Sequence, residues 1–156
     1  IKALAKINNK NVQLLIAGEG PEKNTLQNLV KEYNLQDQVD FIGWQNDLGS
    51  VYKTADCFLL TSDSEGYGMV IAEAILAELP VIMTDVGVAG ELVEDNINGF
   101  IIPVNDVGVL KEKMQALIDD KDLFLKFRKN SDQFKNKILI QEQLISKIVT
   151  NWQTVV

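Results

Sequence analysis

The sequence predicts an α/β fold, a Rossmann-like parallel sheet with helices on both faces. Short apolar runs alternate with segments in which apolar residues recur at helical spacing, from about residue 12 to residue 118. This alternation is typical of parallel βαβ units. Glycine-containing loops follow several of the apolar runs. Because ligands bind beyond the carboxyl ends of parallel strands, these loops are predicted to meet at one crevice.

The totals are those of an ordinary globular domain. The 156 residues are 46% apolar and 24% charged, which suits one domain with its own core. The net charge of −7 argues against a nucleic-acid partner, because such partners bind basic surfaces. The chain has no histidine, so histidine-based triads and His–Cys zinc sites are excluded. The single cysteine, Cys57, lies in an apolar run and is interpreted as a buried core thiol.

The first two strands are predicted at residues 12–17 and at Val39–Gly43. The first run is apolar apart from Gln13, which predicts a strand buried on both faces. A glycine turn at Gly18 to Gly20 leads into a helix, and Pro21 suits its first position. The apolar stripe of that helix is Leu26, Leu29, Val30 and Tyr33.

Three more strands are predicted at residues 57–61, 81–84 and 99–102. The helix before the third strand carries Leu48, Val51, Tyr52 and Ala55 on one side, and residues 69–79 form a helix that is apolar nearly all round, as buried helices are. Three helical patterns end the chain. The first begins at Asn105 or Asp106 as cap, and the stripes of the other two are Leu123, Phe124, Phe127 and Phe134, then Ile140, Leu144, Ile148 and Trp152.

Two carboxylates flank the start of the apolar helix. Glu73 lies in its middle, where an ionised carboxylate is costly unless it is paired or hydrogen-bonded. Glu65 precedes it by eight positions, across the bend Gly66-Tyr67-Gly68. Free N–H groups at a helix start favour phosphate, and a carboxylate can accept from a pair of sugar hydroxyls. The arrangement indicates a nucleotide-sugar site, although Glu73 could instead cap neighbouring backbone.

Two other motifs are weaker. Gly18-Glu19-Gly20 resembles half of a dinucleotide fingerprint, but Lys23 replaces the third glycine, so a tight turn is the preferred interpretation. Asp120-Lys121-Asp122 has the Asp-x-Asp spacing that some metal-dependent glycosyltransferases use. Because it lies between two predicted surface helices, we interpret it as helix-cap and linker carboxylates and predict no metal.

Residues 65–73, EGYGMVIAE, resemble the E-x7-E signature of family 4 retaining glycosyltransferases, which have the two-domain GT-B fold. Five further pieces resemble the same family in the same order, and together they cover about residues 1 to 120. These pieces are IAGEGP at residues 16–21, VDFIG at 39–43, ADCFLL at 55–60, PVI at 80–82 and NGFIIP at 98–103.

The resemblance implies a role for each matching residue. Glu65 would act as the catalytic-site carboxylate on the donor sugar, assisted by backbone N–H groups of Gly66, Tyr67, Gly68 and Met69. The helix start after Gly68 would hold the diphosphate, and Glu73 would bind the ribose hydroxyls. The remaining donor-binding residues would line the base or edge the crevice; these are Ile42, Gly43 and Trp44, and Gly18, Glu19 and Gly20. No cofactor or metal is implied, and the substrate would be a UDP- or GDP-sugar.

The resemblance also implies what surrounds this domain. Residues 1–156 would be the C-terminal donor-binding half of a larger enzyme, without the first strand of the domain and inactive alone. The acceptor, a glycan or a lipid-linked sugar, would bind the missing N-terminal domain, and the enzyme would be cytoplasmic, working at the inner face of the membrane. The basic Arg–Lys pair of the family would lie upstream of Ile1, and Arg128 is the only arginine in the chain.

Two smaller departures concern loops. Glu78 stands where the family often has glycine, which predicts a different helix C-cap. Val88 replaces the second glycine of a Gly-Gly loop, which predicts a looser approach of that loop to the phosphate. The alternatives are a GT-B-like nucleotide-sugar epimerase and a non-catalytic α/β interaction module such as a receiver-like domain.

Overall fold

The computed structural model describes residues 1–66, 68–135 and 138. After a 3₁₀ turn at Leu4–Lys6, strands and helices alternate along the chain. The strands are β1 (Leu14–Ala17), β2 (Val39–Gly43), β3 (Phe58–Leu60), β4 (Val81–Thr84) and β5 (Gly99–Ile102). The helices are α1 (Lys23–Glu32), α2 (Leu48–Thr54), α3 (Met69–Leu76) and α4 (Val107–Asp119), followed by α5 at residues 121–135.

The strands form two parallel sheets. β1 pairs with β2, and β3, β4 and β5 pair in that order. Every pairing is parallel, as the alternation of strands and helices predicts. The α/β architecture with parallel strands is therefore confirmed, with the strands divided between a two-stranded sheet and a three-stranded sheet.

Helices cover the three-stranded sheet on both faces. Val81 and Met83 pack in one cluster with Ile71 and Ile75 of α3. Ile82, between them in sequence, packs on the other face in a cluster that includes Leu117 of α4. Phe127 of α5 belongs to the same second cluster and is fully buried. Because successive strand side chains point to opposite faces, the continuous apolar run of β4 matches a strand that is buried on both sides.

The two-stranded sheet is covered differently. Leu14 and Ile16 of β1 pack in a cluster with Leu4 and with Val30 of α1. The alternate residue Leu15 is 40% exposed. The prediction that the first strand is buried on both faces is therefore wrong, because the strand alternates between half-buried and exposed residues and pairs with β2 alone among the described strands.

Several helix ends differ from the sequence prediction. α1 begins at Lys23 rather than at Pro21, which lies in the preceding turn. Tyr33 caps the end of that helix and is exposed, so it does not continue the buried stripe. α3 ends at Leu76 rather than at residue 79. Strands one and three are also shorter than predicted, since their first or last residues lack ladder pairing.

The end of α3 shows how the chain leaves a helix without glycine. The N–H of Glu78 donates to the carbonyl of Ile75 and the N–H of Leu79 to that of Ala74, which is the Schellman pattern. Glu78 holds the left-handed position with φ of 62°. The expected different C-cap is therefore wrong: the motif is kept, with a glutamate in the position that glycine usually holds.

The C-terminal helices are capped by aspartates. Asp106 accepts a hydrogen bond from the N–H of Val109 at the start of α4, and Asp120 accepts one from Leu123 at the start of α5. The predicted cap role of Asp120 is confirmed. The helical pattern at residues 140–152 lies outside the described residues. Within the described part of the chain, no helix is long and apolar enough to cross a membrane.

Candidate functional site

Glu65 lies on the loop after β3 and is held by hydroxyl groups. The Ser62 hydroxyl donates to Oε1 of Glu65 at 2.8 Å. The Thr84 hydroxyl, at the end of β4, donates to the carbonyl of Ser62 at 2.6 Å. Thr84 is 2% exposed, so this chain of bonds fixes the loop of Glu65 to the buried end of the three-stranded sheet.

The loop after β4 packs directly against Glu65. Gly87 has a φ of 56°, and a Cβ at this position would lie 3.1 Å from the Cβ of Glu65 and 3.1 Å from the carbonyl oxygen of Gly66. Glycine is therefore needed here both for backbone conformation and for space. Val88 is buried in the core cluster beside α3, so the loop makes its close approach through Gly87.

The start of α3 has no side-chain cap. Gly68 is its N-cap residue, with a left-handed φ of 68° and no side chain to accept from the first turn. Met69, the first helical residue, is 57% exposed. The first N–H groups of a helix have no partner within the helix, and together with the helix dipole they attract anions. Tyr67 lies outside the described residues.

Glu73 accepts a hydrogen bond from a residue on another helix. The hydroxyl of Tyr52, on α2, donates to Oε2 of Glu73 at 3.0 Å. Tyr52 is 6% exposed, and its ring packs edge-on against Phe58 with centroids 5.9 Å apart. Burial, and then the bond to Glu73, raises the pKa of Tyr52 above its ordinary value. The phenol therefore stays protonated at neutral pH and remains a donor to the carboxylate.

The loops after β1 and β2 meet each other. The N–H of Gly18 donates to the carbonyl of Gly43 at 2.7 Å. A Cβ on Gly43, whose φ is 66°, would lie 2.9 Å from a carboxylate oxygen of Glu19. That carboxylate also pairs with the ammonium of Lys23, at 3.0 Å and 3.1 Å. Lys23, which breaks the dinucleotide fingerprint, thus holds Glu19 over the glycine of the neighbouring strand.

Trp44 is the most exposed large apolar residue in the described part of the chain, at 75%. Its indole N–H donates to the side chain of Asn46 at 3.2 Å. Ile42, half-buried, accepts from the side-chain amide of Gln45 through its carbonyl. The face of the indole ring is therefore available to a ligand while its polar edge is occupied.

The predicted site residues thus fall into two groups, one beside the three-stranded sheet and one beside the two-stranded sheet. One group is Glu65, Gly66, Gly68, Met69 and Glu73, on α3 and on the loop between β3 and α3. The other is Gly18, Glu19, Gly20, Ile42, Gly43 and Trp44, on the loop after β1, at the end of β2 and just after β2. Cys57 belongs to neither, because it is half-buried against the core cluster of Ile82 and Phe127, where burial raises the pKa of its thiol to about 12. In residues 1–66, 68–135 and 138, no group of three acidic or cysteine side chains could hold a metal ion.

Three hydroxyl residues that hold the carboxylates or their loop were not predicted from the sequence, namely Tyr52, Ser62 and Thr84. Ser62 lies three positions before Glu65, a spacing that a local side-chain bond can bridge, so it could have been found. Tyr52 was assigned only to the apolar side of its helix. It lies 21 positions before Glu73, and no periodicity connects residues so far apart.

Comparison with known proteins identifies one matching family and several relatives of this chain. Residues 1–134 match the family described as glycosyl transferases group 1. The chain is 29% identical to the N-acetyl-alpha-D-glucosaminyl L-malate synthase of Bacillus anthracis, over 99% of this chain and 40% of that protein. It is 30% identical to the UDP-Gal:alpha-D-GlcNAc-diphosphoundecaprenol alpha-1,3-galactosyltransferase of Escherichia coli, over 86% of this chain and 34% of that protein.

A solved structure shares the fold. HepE of Anabaena, in a crystal structure with UDP-glucose, superposes with a TM-score of 0.83 at 25% identity, over 95% of this chain and 43% of that chain. The chain therefore spans less than half the length of these relatives.

Proposed function

The chain belongs to the glycosyl transferases group 1 family, and on that premise we propose that it is the donor-binding half of a retaining glycosyltransferase. The donor is a nucleoside-diphosphate sugar, with UDP or GDP as the nucleotide. A UDP-sugar is the first to test, because HepE was crystallised with UDP-glucose. The reaction transfers a hexosyl group to a glycan or to a lipid-linked acceptor. The Escherichia coli relative is named for a diphosphoundecaprenol acceptor.

One observation carries this proposal: an uncapped helix start lies between two carboxylates that are each held by a hydroxyl group. Ser62 donates to Glu65 and Tyr52 donates to Glu73. Gly68, the N-cap residue of α3, has no side chain that could accept from the first N–H groups of the helix. A diphosphate satisfies these N–H groups, while the carboxylates accept hydroxyl groups from the sugars on either side of it.

The other residues of the proposed site follow from this placement. Glu65 binds the donor sugar as the catalytic-site residue, with the backbone of Gly66, Gly68 and Met69 beside it. Glu73 binds the ribose. The exposed indole of Trp44 and the backbone of Ile42 and Gly43 line the base, and the Gly18–Gly20 turn edges the crevice. Aromatic rings stack favourably on bases, and Trp44 has a free face for it.

The chemistry that we propose needs positive charge on the departing diphosphate more than it needs a protein nucleophile. The start of α3 contributes roughly half a unit charge. Arg128, the only arginine, lies on α5 and pairs with Glu78 at 3.6 Å. We therefore infer that additional basic residues come from a second, acceptor-binding domain, and that this chain alone binds donor without transferring sugar. No metal is required by this arrangement.

Calorimetric titration with UDP, GDP and their sugar conjugates tests the proposal. The chain and the full-length protein that contains it are titrated with and without a chelator. One nucleotide should bind, its affinity unchanged by the chelator. Glu73→Gln should weaken it about tenfold or more, as expected for the loss of a hydrogen bond to a charged group.

Glu112→Gln is the matched control. Glu112 is exposed on α4 and pairs only locally with Lys113, so its variant removes the same charge without touching the proposed site. If Glu112→Gln weakens binding as much as Glu73→Gln, Glu73 does not bind the ribose. If neither the chain nor the full-length protein binds any of the nucleotides, the donor-binding function is wrong.

A further inference from the structure

Among the described residues, only Tyr52 donates a hydrogen bond to the side chain of Glu73. The residues on either side of it in α3, Ala72 and Ala74, are buried, and Glu73 itself is half-buried. A carboxylate has about four lone-pair positions for hydrogen bonds. The Tyr52 hydroxyl occupies one of them, on Oε2. The carboxylate therefore keeps acceptor capacity for a ligand while one of its oxygens is fixed.

Both the ring and the hydroxyl group of Tyr52 contact neighbouring elements. Its ring is 6% exposed and packs edge-on against Phe58 of β3. Its hydroxyl also lies 3.5 Å from the carbonyl of Val70, one turn before Glu73 in α3. The hydroxyl thus stands at the junction of α2, β3 and α3. A donor fixed in this way restricts the rotation of the Glu73 carboxylate, which as a free glutamate side chain would occupy a broad range of terminal torsion angles.

Resting on the proposed function, we propose that Tyr52 is a positioning residue that orients Glu73 toward the ribose and so sets the preference for ribose over 2′-deoxyribose nucleotides. The hydroxyl holds Oε2, which turns Oε1 and the remaining lone pair of Oε2 toward the sugar diol. Two adjacent hydroxyl groups can then donate to a carboxylate that has already lost its rotational freedom. Preorganisation of this kind raises affinity by lowering the entropy that binding costs.

The test compares UDP with 2′-deoxy-UDP, using the chain and the full-length protein in calorimetric titrations. The wild-type protein should bind UDP about tenfold more tightly than 2′-deoxy-UDP, because Glu73 loses a donor in the deoxy complex. Tyr52→Phe keeps the ring and its packing. It should reduce that ratio to about threefold or less, leaving the affinity for 2′-deoxy-UDP within about twofold.

Two further variants show whether Tyr52 acts through Glu73. Glu73→Gln should bring the ratio near one, and Tyr52→Phe added to Glu73→Gln should change it no further, since coupled residues are not additive. Tyr33→Phe is the control: Tyr33 caps the end of α1 and is exposed, so its variant should keep the wild-type ratio.

A purely structural role for Tyr52 predicts a different result. Tyr52→Phe would then weaken binding of UDP and of 2′-deoxy-UDP by the same factor. The ratio of the two affinities would stay at its wild-type value, and that outcome overturns the proposal. If the wild-type protein binds no nucleotide, the proposed function fails and this inference fails with it. If the wild type discriminates and Tyr52→Phe discriminates equally, only the role of Tyr52 is wrong.

A second measurement applies if Tyr52→Phe does not fold. The hydroxyl proton of Tyr52 in the wild-type protein is followed by NMR, since a buried, hydrogen-bonded hydroxyl exchanges slowly. Its resonance should shift on saturation with UDP and shift less with 2′-deoxy-UDP. An equal response to the two nucleotides contradicts the proposal.

Discussion

β1 and β4 are both four-residue apolar strands, Leu14–Ala17 and Val81–Thr84, yet they have different surroundings. β4 lies between β3 and β5, and every one of its residues is buried. β1 pairs with β2, and its residues alternate between half-buried and exposed. The difference shows that composition predicts a strand, whereas burial depends on whether helices cover both faces of its sheet.

The same contrast divides the candidate site. Glu65 and Glu73 stand on the three-stranded sheet and on α3, where helices cover both faces. The loops with Glu19 and Trp44 extend from the two-stranded sheet, whose Leu15 is exposed. We therefore expect the half of the candidate site that carries Glu65 and Glu73, the carboxylate half, to be the more stable one. Substitutions in the two sheets should then lower the free energy of unfolding by unequal amounts.

The largest effect is expected from cutting a strand side chain in each sheet. Ile82→Ala removes a fully buried side chain from β4 and should lower the free energy of unfolding by about 2–5 kcal/mol. Ile16→Ala in β1, where the side chain is half-buried, should cost roughly 1–1.5 kcal/mol. Urea unfolding midpoints measure both. Equal losses would contradict the comparison between the two strands.

A smaller effect is expected from adding one methyl group where β4 and β5 meet. A Cβ on Gly99 would lie 2.3 Å from the carbonyl oxygen of Val81, its partner in the ladder. Gly99→Ala must push the strands apart and should cost roughly 1–3 kcal/mol. Gly20→Ala is the control in the loop after β1, where no atom lies within 4 Å of the added Cβ.

Thermal unfolding of the two glycine variants gives the measurement. Gly20→Ala should stay within about 0.5 kcal/mol of the wild type, as open surface positions do. A Gly99→Ala protein as stable as the Gly20→Ala protein would mean that β4 and β5 tolerate separation. The covered sheet would then be less tightly packed than its burial indicates.

The smallest effect concerns the ion pairs that join α5 to the end of α3. Glu78 accepts from Lys135 at 2.6 Å and lies 3.6 Å from Arg128. The hydrogen bond from Lys135 lowers the pKa of Glu78 below its ordinary value of 4.5, and the bond to Glu78 raises the pKa of Lys135 above 10.5. Because the Glu78 side chain is 44% exposed and solvent screens its charge, these pairs should contribute about 0.5 kcal/mol or less.

The sign of each shift fixes the pH dependence. A lowered glutamate pKa stabilises the folded state above the unfolded value of 4.5 and ceases to do so as pH falls through the folded value. A raised lysine pKa stabilises below 10.5, and the contribution disappears as pH rises through the folded value. Glu78→Gln should therefore be slightly less stable than the wild type at pH 7 and no less stable at pH values below the folded pKa.

Glu78→Gly separates the charge from the backbone. It removes the ion pairs but relieves a non-glycine residue from a left-handed φ of 62°, which costs roughly 1–2 kcal/mol. It should be as stable as the wild type or more stable in the same unfolding assay at pH 7. If Glu78→Gly is less stable than Glu78→Gln, the backbone at this C-cap is not strained.

The carboxylate half of the candidate site could be predicted from the sequence because its residues are close together along the chain. Glu65, the glycine bend, the helix start and Glu73 lie within nine consecutive residues, and local spacing alone places them around one helix end. The hydroxyl groups that hydrogen-bond to Glu73 and to the loop of Glu65 could not all be predicted. Tyr52 comes from another helix, and Thr84 reaches the Glu65 loop from the end of the next strand.

The sequence by itself determined the order of strands and helices, because hydrophobic period reflects local backbone geometry. It also narrowed the cap of α4 to Asn105 or Asp106 and predicted the glycine turns, since those bonds close within a few residues. Only the tertiary structure decided which strand is covered on both faces, which hydroxyl meets Glu73, and that Glu78 pairs with Lys135, 57 positions away. Such contacts depend on which surfaces pack together, and this packing is determined by residues that are far apart in the sequence.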